Sequence, residues 1–448
     1  MRIFGYAFGF TPNLFSKSSA VHHTFSTLLV LVGFVQSWNV ALLILNMCII
    51  SAIMALGLNI QWGYAGLFNA GVMGFIIVGG LATVIISMPP VKETWEIGGL
   101  GVLWGIMIVI ISSVVAILTW KKTKSLSRFR YFPTIFVIIV GYTFIRLVSG
   151  PAIEAIEGFE AAKTGYLGGL GLPILFSWAI GGILAAGIAW VIGKITLELK
   201  SDYLAIATLG ISAIILYISK NEDWLARGVK NVNSIPRPVP YEINLQREIW
   251  FQNICSFLGV PLKEFSSIFV KLCYSGLFFA VLLFFLWLSQ RALRSPWGRM
   301  MRAIRDNETA ARAMGKNVAK RHLQVFVLGS AMIGVAGAMM TTLDGQFTPN
   351  SYTPLRFTFV IYVMVIVGGS GNNLGAILGG FLIWFFWVES EPIGIWIIDN
   401  TTKIFGEESA IRLHLLESIA HMRYMTMGLI LLLVLRFAPK GLIPEEKL

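Results

Sequence analysis

The chain has 448 residues, a formal net charge of +12, 56% hydrophobic residues and only 13% charged ones. Soluble domains carry about a quarter charged residues, so this composition, with a mean hydropathy of +0.75, excludes a soluble globular domain and predicts a polytopic membrane protein. The apolar runs are continuous rather than alternating, which selects helices over a barrel, since lipid offers an unpaired backbone group no partner.

Before the first apolar run, Phe25–Val35, only Arg2 and Lys17 carry charge, and no small-residue cleavage site follows, so no signal peptide is expected. Spans are predicted at Thr24–Gln36, Val40–Gln61, Gly63–Met88, Gly99–Thr119, Phe132–Ser149, Ile174–Ile195, Tyr203–Ser219, Ile268–Ser289, Leu323–Leu343, Phe357–Gly371, Leu374–Val388 and Met422–Arg436. This gives about 10–12 membrane segments, the shorter ones being candidates for half-helices. The whole chain, 1–448, reads as one transmembrane domain.

Charge orients the spans. Lys121, Lys122, Lys124, Arg128 and Arg130 share one loop, and Arg291, Arg294, Arg299, Arg302, Arg305, Arg312, Lys316, Lys320 and Arg321 share another, 290–320 and its edge. Positive charge marks cytoplasmic loops, so both termini are expected in the cytoplasm. Pro89–Gly98, Gly150–Pro173, Lys220–Ser267, Asp344–Arg356 and Glu389–His421 then lie outside. The excess charge sits between spans, with no aromatic-interleaved soluble domain, so nucleic acid is not an expected partner. The longest outside loop, 220–267, is stiffened by Pro236, Pro238 and Pro240 and is a candidate platform for an external protein.

Small residues recur every fourth position at Gly371, Gly375 and Gly379, at Gly66, Ala70 and Gly74, and at Gly181, Ala185 and Ala189. Such spacing lets helix backbones approach closely. Ordinary packing explains the third set; the glycine density of Gly63–Gly74 and Gly368–Gly380 points to broken or tightly packed helices near a substrate path.

Catalytic signatures are missing. GxxxxGK[ST], HExxH, GxSxG and CxxC find no match, so the chain is expected neither to hydrolyse ATP nor to be an enzyme. His22, His23, His322, His414 and His421 lie near span ends as interfacial residues, and Cys48, Cys255 and Cys273 have no metal or disulfide spacing. No metal and no cofactor is expected. Carboxylates avoid the middle of the spans, which disfavours an ion-coupled carrier, and Arg146 is near enough to an outer end to snorkel.

A conduit without its own energy source needs a place to receive one. Ser295–Val318 is basic and rich in alanine, with Met300, Ala303, Ile304, Ala310, Ala311 and Met314 falling largely on apolar faces at helical spacing. A short amphipathic helix at the cytoplasmic face either rests on headgroups or docks in a partner's groove.

RAIRDNETAARAMGKNV within that segment resembles the coupling segment of the LivM-like permeases of branched-chain amino-acid ABC importers, whose relatives include urea and short-chain amide permeases. LGLNIQWGYAGLFNAG at Leu56–Gly71, LKSDYLAIATLG at Leu199–Gly210, FTPNSYTP at Phe347–Pro354, VIVGGSGNNLGAILGG at Val365–Gly380 and PKGL at Pro439–Leu442 match the same family in order. The resemblance implies an ABC importer permease-type helical bundle in the bacterial inner membrane. Its implied partners are cytosolic ABC ATPase subunits, a second, LivH-like permease subunit and a periplasmic solute-binding protein. Branched-chain or related amino acids are the implied substrate, and urea or short amides the alternative; a self-contained ion-coupled carrier or channel is the rival from another class.

Within the coupling motif, Glu308, Ala310, Ala311 and Gly315 match the family's acid–small–small–glycine pattern, with Arg302, Arg305 and Asp306 making polar contacts around it. Asn59, Asn69, Thr208 and Gly210 are the expected path-lining groups. The chain departs from the family at Val72, where a histidine is common, at Asn69, where a serine is common, and at Leu225–Pro236, which lacks a threonine-glycine-glycine stretch.

Overall fold

The computed structural model describes residues 25–123, 131–160, 164–197, 199, 201–402 and 410–445. His22, His23, Arg2, Lys17, Lys124, Arg128, Arg130 and Lys200 lie outside the described residues, so those expectations rest on sequence alone. The described chain is helical nearly throughout, and nine of its helices are long and apolar enough to cross a membrane.

Each of the twelve expected spans contains a helix. In chain order these are α1 (Phe25–Val35), α2 (Trp38–Leu58), α3 (Val72–Ser87), α4 (Leu100–Lys122), α5 (Tyr131–Gly158), α6 (Ile174–Thr196), α7 (Ser201–Asn221) and α8 (Leu262–Arg294). Two short helices follow, α9 (Pro296–Asp306) and α10 (Glu308–Ala313). The chain then continues through α11 (Val318–Asp344), α12 (Val360–Gly368), α13 (Asn373–Thr401) and α14 (Ile419–Phe437).

The core forms around α11, which packs against α6, α3 and α2. Small residues make this possible. A Cβ on Gly79 of α3 would run into the Gly334 carbonyl of α11, and one on Gly334 into Ala185 and the Gly181 carbonyl of α6. The expected Gly181–Ala185–Ala189 stripe is thus the face on which α6 meets α11, and its two alanines are fully buried. Around this centre, α2 packs on α8 and α13.

The α4–α5 hairpin stands apart. Its helices meet each other where Gly105 faces Ser149 and Gly141 faces Ser112. Among the described residues it joins the rest at one end, through a small cluster of Val102, Ile156 and Leu167 with Trp95 and Trp224, fastened by the Trp95 indole donating to Leu167 O at 2.9 Å.

Three expectations need correction. The segment Gly63–Met88 is not one helix: α2 ends in a π-helical turn at Asn59–Gly63, an irregular stretch follows, and helix resumes at Val72. Gly66 there has φ +70, a conformation that favours glycine. Gly371 likewise sits at φ +80 in the turn before α13, so of Gly371, Gly375 and Gly379 only the last two face α12, meeting the Gly368 and Met364 carbonyls. Finally, helix α13 runs past Val388 to Thr401. Glu389 and Glu391 do not end it because each has a partner, Gln36 Nε2 at 2.8 Å and Arg423.

The long 220–267 segment is ordered. It contains a helix at Ile249–Leu258 that hydropathy alone leaves inside a loop, and a strand, β1 (Val232–Asn233), paired antiparallel with β2 (Gln346–Phe347) just after α11. This ties the segment to the end of the bundle opposite α9 and α10.

Candidate functional site

Two features converge at one end of the bundle: the basic helical handle, and the stretch where α2 breaks. The handle is two helices, not one. Asn307 interrupts the segment with an extended backbone and caps α10, its Oδ1 accepting from Ala310 N at 2.9 Å. α9 turns Met301 and Ile304 inward, both buried, and the Trp297 indole donates to Gln324 of α11 at 3.1 Å. No residue of α10 is buried. Glu308 and Arg312 pair along its surface at 2.6 Å, and Gly315, at φ +73 with open space around it, ends the handle. Met314 beside it is 79% exposed.

The expected coupling residues therefore divide. Asp306, Glu308, Ala310 and Gly315 are exposed, Arg302 and Ala311 half-buried. Arg305 points the other way. Its Nη1 donates to Gly63 O, the last residue of the π-helical turn, at 2.5 Å, and its Nη2 donates to both oxygens of Glu445 at 2.9 and 3.1 Å. Burial opposes the guanidinium charge, but the Glu445 and Asp306 carboxylates outweigh it and hold Arg305 above its ordinary range. Arg305 is the one direct polar link from handle to α2 among the described hydrogen bonds.

Behind Gly63 lies a buried polar lattice. Asn59 Nδ2 donates to Asn373 Oδ1 at 3.2 Å, and Asn59 Oδ1 accepts from Gly371 N at 2.9 Å. Gln61 donates to Phe326 O at 2.9 Å and Ser330 Oγ at 3.0 Å, and accepts from Asn69 Nδ2 at 2.9 Å. Tyr362 of α12 exchanges hydrogen bonds with the backbone of Asn69, at 2.8 and 3.1 Å. Thr208 of α7 accepts from Ala70 N at 3.1 Å, and Thr358 donates to Ala70 O at 3.3 Å. Irregular backbone at membrane depth is tolerated only where protein satisfies it; these side chains do that for residues 69–71.

The structure thus brings Asn59, Asn69 and Thr208 together with the two glycine-dense segments. Asn59 and Asn69 are fully buried, with their amides engaged. Gly210 lies on the exposed face of α7, with nothing within 4 Å of an added Cβ. Sequence reasoning missed Gln61, Tyr362, Asn373 and Glu445. Gln61, two residues from Asn59 in an apolar run, carried a readable signal; Glu445, in a charged tail, carried none.

Comparison with known proteins gives a consistent answer. The profile of the family described as "Branched-chain amino acid transport system / permease component" matches residues 40–435. A probable branched-chain amino acid transport permease protein LivM of Methanocaldococcus jannaschii is 27% identical over 398 residues, 88% of this chain and 90% of that protein. The high-affinity LivM permease of Escherichia coli is 27% identical over 249 residues, 55% of this chain and 57% of that one. A probable LivH permease of M. jannaschii is 30% identical over 105 residues, 23% of this chain and 32% of that one. No solved structure gives a significant match.

Proposed function

We infer the function from one premise: this chain belongs to the family of permease components of branched-chain amino acid transport systems. It is a multi-pass membrane protein, and we propose that it forms, with a second and related permease subunit, the transmembrane path of an ABC importer for branched-chain or related amino acids. The partial likeness to a LivH permease supports a paired path built from two related chains.

The observation that carries the mechanism is the Arg305 link. In this reading α10 lies at the cytosolic face and seats in the groove of an ATPase subunit, to which it offers Glu308, Ala310, Met314 and Gly315. ATP binding closes the ATPases and displaces α10. α9 follows, because Trp297 fixes it to α11 and Met301 and Ile304 bury it. Arg305 passes the displacement to Gly63 and so to the break in α2. Asn59, Asn69 and Thr208 serve the path from behind, holding the backbone of 69–71 in one arrangement, and Gly210 leaves room on the face of α7 that lines it. The broken segments are then the inner gate. At the opposite end, the ordered 220–267 segment faces the periplasm and receives a solute-binding protein.

The test uses the chain assembled with its partner subunits in proteoliposomes. Glu308→Arg and Gly315→Trp should each remove substrate-stimulated ATP hydrolysis and leucine uptake while the chain still inserts and elutes as a folded complex. Normal stimulation in both variants contradicts the assignment of the handle.

A further inference from the structure

At the end of the bundle opposite the handle, α11 stops at Asp344 and the chain turns back through Gln346–Leu355 into α12. This turn borders a cavity of about 260 Å³ that is open on one side, with Asp344, Thr348, Ser351 and Arg356 on its polar side and Met340 and Phe357 on its apolar side. Pockets for drug-sized ligands run from about 300 Å³ upward, so this one suits a smaller solute.

Its charges are unusual. Asp344, exposed at the mouth of the cavity, makes no hydrogen bond or ion pair among the described residues, although Arg356 borders the same cavity. The Arg356 guanidinium is held in place by aromatic faces, over the Phe357 ring at 4.8 Å and the Trp384 ring at 5.6 Å. Its Nε is buried without an acceptor, and so are Thr348 Oγ1 and the Trp384 indole N–H without partners. Buried polar groups are nearly always paired, and a cation and an anion sharing one cavity ordinarily close on each other. Here neither does: Arg356 Nε and Thr348 Oγ1 stay unpaired inside, while the Asp344 carboxylate stands exposed at the mouth, and the two charges of opposite sign flank a space with an apolar wall.

We propose that this cavity is a subsite for a zwitterionic amino acid, with Arg356 taking the α-carboxylate, Asp344 the α-ammonium, and Met340 and Phe357 the apolar side chain. This rests on the permease reading above and gives it a first binding station at the outer end of the path. A zwitterion supplies an anion to the buried, unpaired Arg356 Nε and a cation to the Asp344 carboxylate at the mouth, which neither urea nor an uncharged amide does. Thr348 Oγ1 is placed to donate to the same carboxylate. A solute released from a binding protein would be held here by its backbone charges, with the shape of the wall reading its side chain. The β1–β2 pairing, which fixes Gln346 and Phe347 against the 220–267 segment, makes the outer rim of the cavity part of the face offered to that protein.

The experiment is equilibrium binding of radiolabelled leucine to the full complex in lipid nanodiscs without the solute-binding protein. Arg356→Gln and Asp344→Asn should each weaken leucine binding by roughly 10- to 100-fold, the range for one charge-assisted contact. Competitors assign the roles. The des-amino analogue 4-methylpentanoate should compete equally in wild type and Asp344→Asn and fail in Arg356→Gln; 3-methylbutylamine should do the reverse. Arg356→Lys, which keeps the charge, should bind better than Arg356→Gln. Unchanged leucine binding in both neutralised variants overturns the proposal, as does Arg356→Lys falling to the level of Arg356→Gln, which marks a packing role. Phosphoethanolamine displacing leucine at lower concentration than unlabelled leucine does overturns it in favour of a lipid headgroup. Leucine uptake by the wild-type complex separates the two readings: if uptake is absent, the permease assignment fails, and if uptake persists while the neutralised variants bind normally, only the subsite fails.

Discussion

α2 and α4 are both long apolar helices, yet 83% of the most apolar stretch of α2 is buried in the protein, against 11% of that of α4. Apolarity puts both in the membrane and says nothing about which one is core. What separates them is polar groups with partners and small residues in register. α2 and the π-helical turn that ends it carry Asn46, Asn59 and Gln61, each bonded to another helix or to the turn before α13. It also carries Gly57, against whose face Gly329 of α11 closes. α4 presents Leu103, Trp104, Ile110 and Ile117 outward, and among the described residues its tight contacts are with α5 and at its N-terminal end. In a solvent that already satisfies apolar surface, helix association depends on close packing and interhelical hydrogen bonds. The core is therefore where the glycines and amides are, and α4–α5 is a lipid-facing or neighbour-facing annex.

That contrast can be broken most sharply at the glycine seam. Gly334→Val should destabilise the bundle by about 3 kcal/mol or more, the upper range of overpacking, because its side chain would meet Ala185 and Gly181. Gly428→Val in α14, where an added Cβ meets nothing within 4 Å, should be nearly silent. Thermal unfolding of the detergent-solubilised proteins compares them, and equal losses would sink the distinction.

Next in size is the lattice. Gln61→Leu strands Asn69 and Ser330 and should cost about 1–3 kcal/mol, the penalty for leaving buried polar partners unpaired, read by the same melt. Arg305→Ala should leave the fold standing but cut leucine uptake roughly tenfold at a retained rate of ATP hydrolysis, a coupling loss within the usual range. Uptake and hydrolysis falling in step would mean that Arg305 serves assembly rather than transmission. The smallest effect belongs to the annex. Ile110→Leu, on the exposed face of α4, should change stability by less than about 0.5 kcal/mol and leave uptake at the wild-type level.

Much of this was legible in the sequence, for definable reasons. Apolar run length marked a helix in each of the twelve spans, and the charge and apolar spacing of Ser295–Val318 marked an amphipathic helical segment there, though not its break at Asn307. Glycine density singled out Gly63–Gly74 and Gly368–Gly380 but left open whether they were broken or tightly packed, and counting fours placed Gly66 and Gly371 on helix faces where the backbone needs them at positive φ. Spacing cannot distinguish a packing glycine from a turn glycine; backbone conformation does. The inward turn of Arg305 was not legible either, because its partners, Gly63 O and Glu445, lie 242 and 140 residues away. Nor was the extension of α13 through Glu389 and Glu391, since a charge stays in a helix at the membrane edge only if a partner arrives from elsewhere in the chain, and Gln36 and Arg423 are those partners.

The central claim is that a nucleotide-driven partner grips the handle at α10 and moves the gate through it. A photo-crosslinking residue in place of Met314, the most exposed side chain of the handle named above at 79%, tests this directly in the assembled, transport-active complex. The account predicts a crosslinked adduct with the ATPase subunit whose yield changes when ATP is bound. An active complex in which this position captures only lipid, or captures the ATPase identically with and without nucleotide, would contradict it.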